Sequence, residues 1–208
     1  MAGYNKTTRS LDESEYKSIM QTILNGFTYV DQKGQEKKFR SNPRLAMLLQ
    51  TETITGLRIG DVCHLRLSDI IKDGRHYRLD ISEQKTKKSR TFTISDDVYR
   101  MLSQWAIDHK IPSNAPLFGN KKGEPLTVRA VQKQLKIVAD YLGMECVSTH
   151  SFRKTFARTA YEDSDHDIEL ARELLQHSST VITQRYLGLG SKQREKALKD
   201  ISDKFLLK

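Results

Sequence analysis

An α+β fold, mainly helical with one small three-stranded antiparallel sheet, is predicted by two features of the sequence. Apolar residues recur at helical spacing along most of the chain, in runs that open on Ser, Asn, Asp or Thr and close mostly on Gly. One interval only, Leu67 to Ser95, changes to period two. The 208 residues can bury one sizeable core, and no repeat or low-complexity tract points to a second. A single domain over residues 1–208 is expected, with the polar, basic residues 1–9 frayed or serving as a linker.

In order, Ser10-Leu11-Asp12-Glu13 opens the first helix with Ser10 and Glu13 at capping-box spacing. Tyr16, Ile19, Met20, Ile23 and Leu24 follow at helical spacing, and Asn25-Gly26 ends the run. Residues 27–40 read as a loop or short hairpin about Asp31-Gln32-Lys33-Gly34. Ser41-Asn42-Pro43 caps the next helix with proline in its first turn. Leu45, Met47, Leu48, Leu49 and Ile54 make that helix apolar on more than one face, so it belongs at the centre of the core. It stops at Gly56, and a short helix follows through Cys63 and Leu65. Strands are expected at Ile70-Ile71, Tyr77–Ile81 and Thr91–Ile94, separated by Asp73-Gly74 and by a basic turn from Lys85 to Arg90.

Asp96 is expected to cap a helix to about His109, with Trp105 as a core anchor. Residues 111–126 hold three of the four prolines and two glycines, which predicts a surface connection. Thr127 caps an amphipathic helix to Leu142-Gly143, and Ser148 or Thr149 caps the helix that carries His150 and Arg153. Residues 162–173 contain six acids and one arginine, a local reversal of charge expected to face away from a polyanion. Helices at about 166–176, 180–187 and 191–205 complete the chain.

Lys and Arg number 35 against 26 Asp and Glu, a net charge of +9. That excess suits an anionic partner, nucleic acid or an acidic surface. No apolar run approaches the ~18 residues of a membrane span, and the N-terminus lacks a signal-peptide core. A soluble, cytoplasmic protein is expected. Cys63 and Cys146 lie far apart among apolar neighbours and read as two buried thiols, and no C-x-x-C suggests zinc.

The chemistry concentrates between Thr149 and Gly190, where T-H-S-F-R-K-T-F-A, L-L-Q-H-S-S and Q-R-Y-L-G supply His150, Arg153, His177 and Tyr186. Taken singly, each has an ordinary reading. H-x-x-R followed by Lys154 and Arg158 fits a solvated basic face, a histidine at a helix junction is commonly structural, and the chain holds eight tyrosines. Taken together, two imidazoles, a guanidinium and a phenol without a carboxylate cage point to phosphoryl transfer driven by hydrogen bonds and fixed positive charge. His150 and Arg153, at i and i+3 near a helix start, share one side of that helix, where free N–H groups favour a phosphate.

This combination, H-x-x-R, then L-x-x-H-S-S, then Tyr nine residues beyond that histidine, resembles the second box of the tyrosine recombinase (phage integrase) family. T-G-L-R-I-G-D-V, Thr55 to Val62, looks like that family's first arginine box and places Arg58. The basic turn E-Q-K-T-K-K looks like its β-hairpin lysine, mapped to Lys85, with Lys87 and Lys88 as competitors. The resemblance runs over about residues 10–190 and departs in two places. Gln176 stands where the family commonly has glycine, and Lys154 where histidine is common. Only a few residues precede the first helix, so the family's separate N-terminal DNA-clamping domain is expected to be absent from this chain.

The resemblance implies a tyrosine-recombinase-like catalytic domain that cuts and rejoins DNA through a 3′-phosphotyrosyl link, without metal, ATP or cofactor. Tyr186 is then the nucleophile, Arg58 and Arg153 the phosphate clamp, His150 the base, Lys85 the general acid, His177 a further donor, and Asp61 a supporting residue. Lys87, Lys88, Arg90, Lys121, Lys122, Arg129, Lys133 and Lys154 are candidate DNA-backbone contacts. The implied partners are double-stranded DNA recombination sites of a phage or other mobile element, bound by a tetramer on synapsed DNA that is monomeric in solution. Accessory DNA-bending proteins belong to the same picture, and the tail at 191–208 would serve assembly. Two other readings stand beside it: a type IB topoisomerase-like relaxing enzyme, and a DNA-binding regulator with a vestigial site.

Overall fold

Helix capping fixes where each helical segment begins, and the computed structural model describes residues 8–82, 89–189, 198, 199, 201 and 204, the side chains of Arg90 and Phe92 aside. Helix α1 (Glu13–Asn25) starts from Asp12, whose side chain accepts from the Glu15 amide while Glu15 reaches back to the Asp12 amide. This corrects the expected Ser10–Glu13 box, which lies two residues earlier. The reason is tertiary: Arg9 forms a two-pronged ion pair with Glu15, at 2.5 and 2.6 Å. Residues 8–11 are meanwhile drawn onto a later helix by the Leu11 amide, which donates to Thr155 Oγ1 at 2.9 Å. Thr8 and Arg9 are therefore held rather than frayed, and residues 1–7 lie outside the described residues.

The segment after α1 forms a hairpin, β1 (Phe27–Val30) against β2 (Glu36–Phe39), with Phe27 opposite Phe39. Asn42 then caps α2 (Pro43–Thr55), its side chain accepting from the Leu45 amide with proline in the first turn. Leu45, Leu48 and Leu49 of α2 are buried, as are Ile19 and Ile23 of α1. Each fully buried leucine contributes roughly 1.5–3 kcal/mol, so α2 anchors the core. The apolar pattern did not extend to Ile54, which is exposed, whereas Thr51, Glu52 and Thr55 of the same helix are buried.

Helix α3 (Ile59–His64) and a 3-10 turn (Leu67–Asp69) lead to a three-stranded antiparallel sheet of β3 (Ile70–Asp73), β4 (His76–Ser82) and β5 (Ser89–Ile94). Its register pairs Ile70 with Leu79 and Leu79 with Phe92, with β4 in the centre. Helix α4 (Asp96–Asp108) is capped by Ser95, whose Oγ accepts from the Val98 amide, and not by the expected Asp96. Asp96 and Asp97 instead fill the first turn, where carboxylates favour the helix dipole. Trp105 is buried, and its indole N–H donates to the Leu117 carbonyl at 2.9 Å.

The connection after α4 is not wholly at the surface as its prolines and glycines suggested. Leu117 and Phe118 are fully buried, and the Leu117 amide donates to the Leu65 carbonyl at 2.8 Å. The prolines bend the chain so that one short segment can drop into the core. Helix α5 (Val128–Tyr141), capped by Thr127, buries Val131, Leu135 and Val138. Helices α6 (Thr149–Asp163), α7 (Ile168–Leu175) and α8 (Thr180–Leu187) then pack in succession, with α6 also against α2. Cys63 is buried, but Cys146 is only half-buried and in the left-handed region (φ 61°), which corrects the expectation of two buried thiols. The expected helix at 191–205 falls largely outside the described residues. Among those described, no helix is long and apolar enough to cross a membrane.

Candidate active site

Four elements converge on Arg153. Ser148 caps α6, exchanging hydrogen bonds with Ser151, which sets Arg153 one turn into the helix and facing inward. Arg153 is 2% exposed. Its Nη1 donates to the Gly56 carbonyl, and its Nη2 donates to the Leu175 carbonyl at 3.0 Å. Both acceptors belong to chain-reversing residues: Gly56 terminates α2, and Leu175 is the last residue of α7. A buried, always-charged side chain thus ties the ends of two helices to a third.

Gly56 has to be glycine here. Its φ is +61°, and a Cβ would lie 2.3 Å from the Phe156 ring. The close approach of α2 and α6 at this point is what brings the Gly56 carbonyl to Arg153. Two residues on, Arg58 sits in extended backbone at the start of α3, and its carbonyl accepts from the Asp61 and Val62 amides. Asp61 is buried in the first turn of α3 behind it.

On the opposite side, Gln176 closes α7 in the left-handed conformation (φ 51°), with its amide bonded back to Glu173. That turn explains the usual glycine at this position and delivers His177 to the α7–α8 junction. The His177 amide donates to the Arg172 carbonyl at 3.0 Å. Its ring Nδ1 lies 3.1 Å from Thr183 Oγ1, while the Thr183 hydroxyl is 3.4 Å from the Ser179 carbonyl. If Thr183 donates to Ser179, its oxygen accepts from Nδ1–H, and Nε2 is the ring atom that can serve a phosphate. Ser179 caps α8, and two turns along it Tyr186 stands edge-on to the His177 ring at 5.2 Å.

Tyr186 thus lies close to Arg153, Arg58 and His177 of its own chain. Its hydroxyl is buried. Burial pushes the phenol up to about 12, with Arg153 and Arg58 pulling back and the Glu52 carboxylate adding to the rise. Glu52, on α2, is fully enclosed, and burial raises its carboxyl well above the usual range although Arg153 and the Ile59 amide oppose the shift. Sequence reasoning missed Glu52, because one acid among apolar residues on a central helix gives no periodic signal. Its only trace is its place four residues before Gly56. Thr183 was missed for a similar reason: a buried threonine has no signature apart from the histidine it holds.

The remaining expected site residues are distributed as follows. His150 is exposed at the second position of α6. Lys85, Lys87 and Lys88 lie outside the described residues. Arg90 is on β5 opposite Ile81. Lys121 and Lys122 are exposed on a turn in which Asn120 Oδ1 accepts from the Lys122 amide. Arg129 and Lys133 are exposed one turn apart on α5. Lys154 differs from its expected place among the outward DNA contacts. It is half-buried, donates to the Thr8 carbonyl at 2.7 Å and lies over the Tyr186 ring. Among the described residues, no group of three or more His, Cys, Asp or Glu could hold a metal ion.

The site is a buried tyrosine beside two guanidiniums and an imidazole on a mainly helical α+β domain. Comparison with known proteins gives the family. The profile of the Phage integrase family matches residues 9–192, and this chain belongs to that family. The tyrosine recombinase XerH of Helicobacter pylori is 25% identical over 197 residues, covering 93% of this chain and 52% of the relative. A crystal structure of XerH bound to a palindromic difH substrate, a post-cleavage complex, superposes with a TM-score of 0.66 at 24% identity, covering 95% of this chain and 54% of that one. A lambda integrase tetramer bound to a Holliday junction gives 0.62 at 20% identity, covering 89% and 50%. The two structural likenesses show the fold. The chain spans about half the length of the curated XerC and XerH relatives it matches.

Proposed function

We propose that this chain is the catalytic unit of a site-specific DNA recombinase, acting through a 3′-phosphotyrosyl intermediate. The observation that carries the reading is Tyr186, buried against Arg153, Arg58 and His177 of its own chain. In the proposed step the Tyr186 oxygen attacks a DNA phosphorus and the bond from phosphorus to the 5′-oxygen breaks. The phenolic proton passes to a base, His150, and the departing 5′-oxygen takes a proton from Lys85. Arg58, Arg153 and His177 donate to the non-bridging oxygens as charge builds there. The phosphotyrosyl link keeps the energy of the phosphodiester, so a second 5′-hydroxyl reverses the attack without ATP. Fixed guanidiniums supply the charge that a metal would otherwise provide. Because Tyr186 lies in its own chain's site, cleavage in cis is the arrangement this geometry supports.

The partners on this reading are paired double-stranded recombination sites, held by a tetramer that forms on DNA from monomers. The solved lambda integrase tetramer on a Holliday junction supports that assembly. Lys121, Lys122, Arg129 and Lys133 would contact the DNA backbone, giving an affinity that falls steeply with salt. A phage or other mobile element is the proposed source of the sites, and attachment repeats in the DNA flanking the gene would identify them. The test is a supercoiled plasmid carrying two such sites, incubated with the protein in EDTA. Recombinant products support the proposal, whereas relaxation of any plasmid without recombinants assigns the chain to topoisomerase-like chemistry.

A further inference from the structure

Lys154 is a further cation beside Tyr186, with no part in the phosphate clamp proposed above. It follows Arg153 on α6, about 100° further round the helix. Its Nζ lies 5.3 Å from the centroid of the Tyr186 ring, within the ~6 Å at which a cation is attracted to an aromatic face. The same amine donates to the Thr8 carbonyl at 2.7 Å. Thr8 is itself fixed, since its hydroxyl is 3.2 Å from Ser148 Oγ, and the next residue's amide donates to the Cys146 carbonyl at 3.1 Å. The ammonium is therefore held between a main-chain acceptor on one side and the nucleophile's ring on the other.

The surroundings of Tyr186 show why such a cation has work to do. From α6 come Arg153 and Lys154, from the start of α3 Arg58, from α2 Glu52, and from the α7–α8 junction His177. Burial and Glu52 both disfavour the phenolate that attack requires. Arg153 is already shared with the Gly56 and Leu175 carbonyls, and on the proposed function both arginines are also engaged by the phosphate. Lys154 is tethered by the Thr8 carbonyl, which precedes α1, and lies over the Tyr186 ring.

We propose that Lys154 is a positioning residue for strand cleavage: held by Thr8, its ammonium fixes the Tyr186 ring and favours the phenolate as the oxygen attacks phosphorus. Lys154 gains and loses no atoms in that step. The inference rests on the reading of Tyr186 as the nucleophile, and it gives residues 8–11 a part in setting the nucleophile. Its partial burial, which lowers the amine's own pKa, strengthens its field at the ring.

The test is single-turnover cleavage of a nicked duplex at saturating protein, from pH 6 to 10, with wild type, Lys154→Met, Lys154→Gln and Lys154→Arg. Folding is followed by circular dichroism and DNA affinity by fluorescence anisotropy. Lys154→Met should cleave about tenfold more slowly near neutral pH, equivalent to one pKa unit at the phenol. The rise of rate with pH should move to higher pH, with Lys154→Arg near wild type and DNA affinity little changed. Lys154→Gln gives the same readout should the methionine variant not fold. Wild-type rates and an unmoved pH profile in the neutral variants would overturn the inference. So would a loss confined to DNA affinity, which would return Lys154 to the backbone contacts. A wild type that forms no Tyr186-dependent adduct refutes the nucleophile reading itself and this inference with it, and the Tyr186→Phe control separates that case from the others.

Discussion

The Arg153 guanidinium donates to the main-chain carbonyl of Gly56, a residue 97 positions earlier, and so ties the end of α2 to the fifth residue of α6. The residue assigned to hold the phosphate is also a fastener of the fold. Function and stability are coupled at this one side chain.

Replacing Arg153 should therefore cost on both counts. Arg153→Gln loses charge-assisted bonds to two carbonyls and leaves them buried, so stability should fall by roughly 3 kcal/mol or more. Arg153→Lys, which lacks the planar fork, should recover part of the stability but little of the cleavage. Urea denaturation alongside a cleavage assay checks both. Arginine-free variants of wild-type stability would show that the two carbonyls do not depend on it.

Gly56→Ala should destabilise by about 2–4 kcal/mol, combining left-handed backbone strain with overpacking against Phe156. Because one cause is steric, Gly56→Ala combined with Phe156→Ala should be less destabilised than the sum of the single variants. Denaturant melts of the three proteins measure the coupling, and strict additivity would contradict the contact.

At Gln176 the opposite change should help. Its φ of 51° is a glycine conformation occupied by an exposed glutamine. Gln176→Gly should raise stability by about 0.5–1 kcal/mol, the left-handed penalty less the added freedom of the unfolded chain, and leave cleavage intact. Thermal unfolding decides it, a lower melting temperature being the adverse result.

Glu52 should make stability depend on pH with a defined sign. Its folded pKa is raised, so between the ordinary carboxylate range and the raised value the folded protein holds a proton that the unfolded chain has released. Stability is then greatest below that window and declines as pH rises through it. Glu52→Gln, shaped like the protonated acid, should flatten this decline. Urea melts at a series of pH values from 4 upward test the claim, and an identical slope in wild type and variant would refute it.

Much of this was legible in the sequence because local rules wrote it. Proline beside Asn42 and the glycine at 56 bracket α2, period two marks the sheet, and Thr127 marks α5. Where expectation failed, tertiary contacts decided. Arg9 and Thr155 drew residues 8–11 aside and moved the α1 cap from Ser10 to Asp12, and Phe118 sank a segment whose composition reads as surface. The spacing of His177 and Tyr186 was legible because one short helix joins them. The enclosure of Glu52 and the turn of Lys154 toward the tyrosine were not, since both depend on the packing of α2, α6 and α8, which no local pattern encodes.

The most direct test of the central claim is mapping of the covalent adduct. Wild type is incubated with a nicked duplex carrying a flanking attachment repeat, the protein is digested, and the DNA-bearing peptide is identified by mass spectrometry. The account predicts one adduct, a 3′-phosphotyrosyl link at Tyr186, abolished in Tyr186→Phe. An adduct at another residue, or one that persists in Tyr186→Phe, would contradict it.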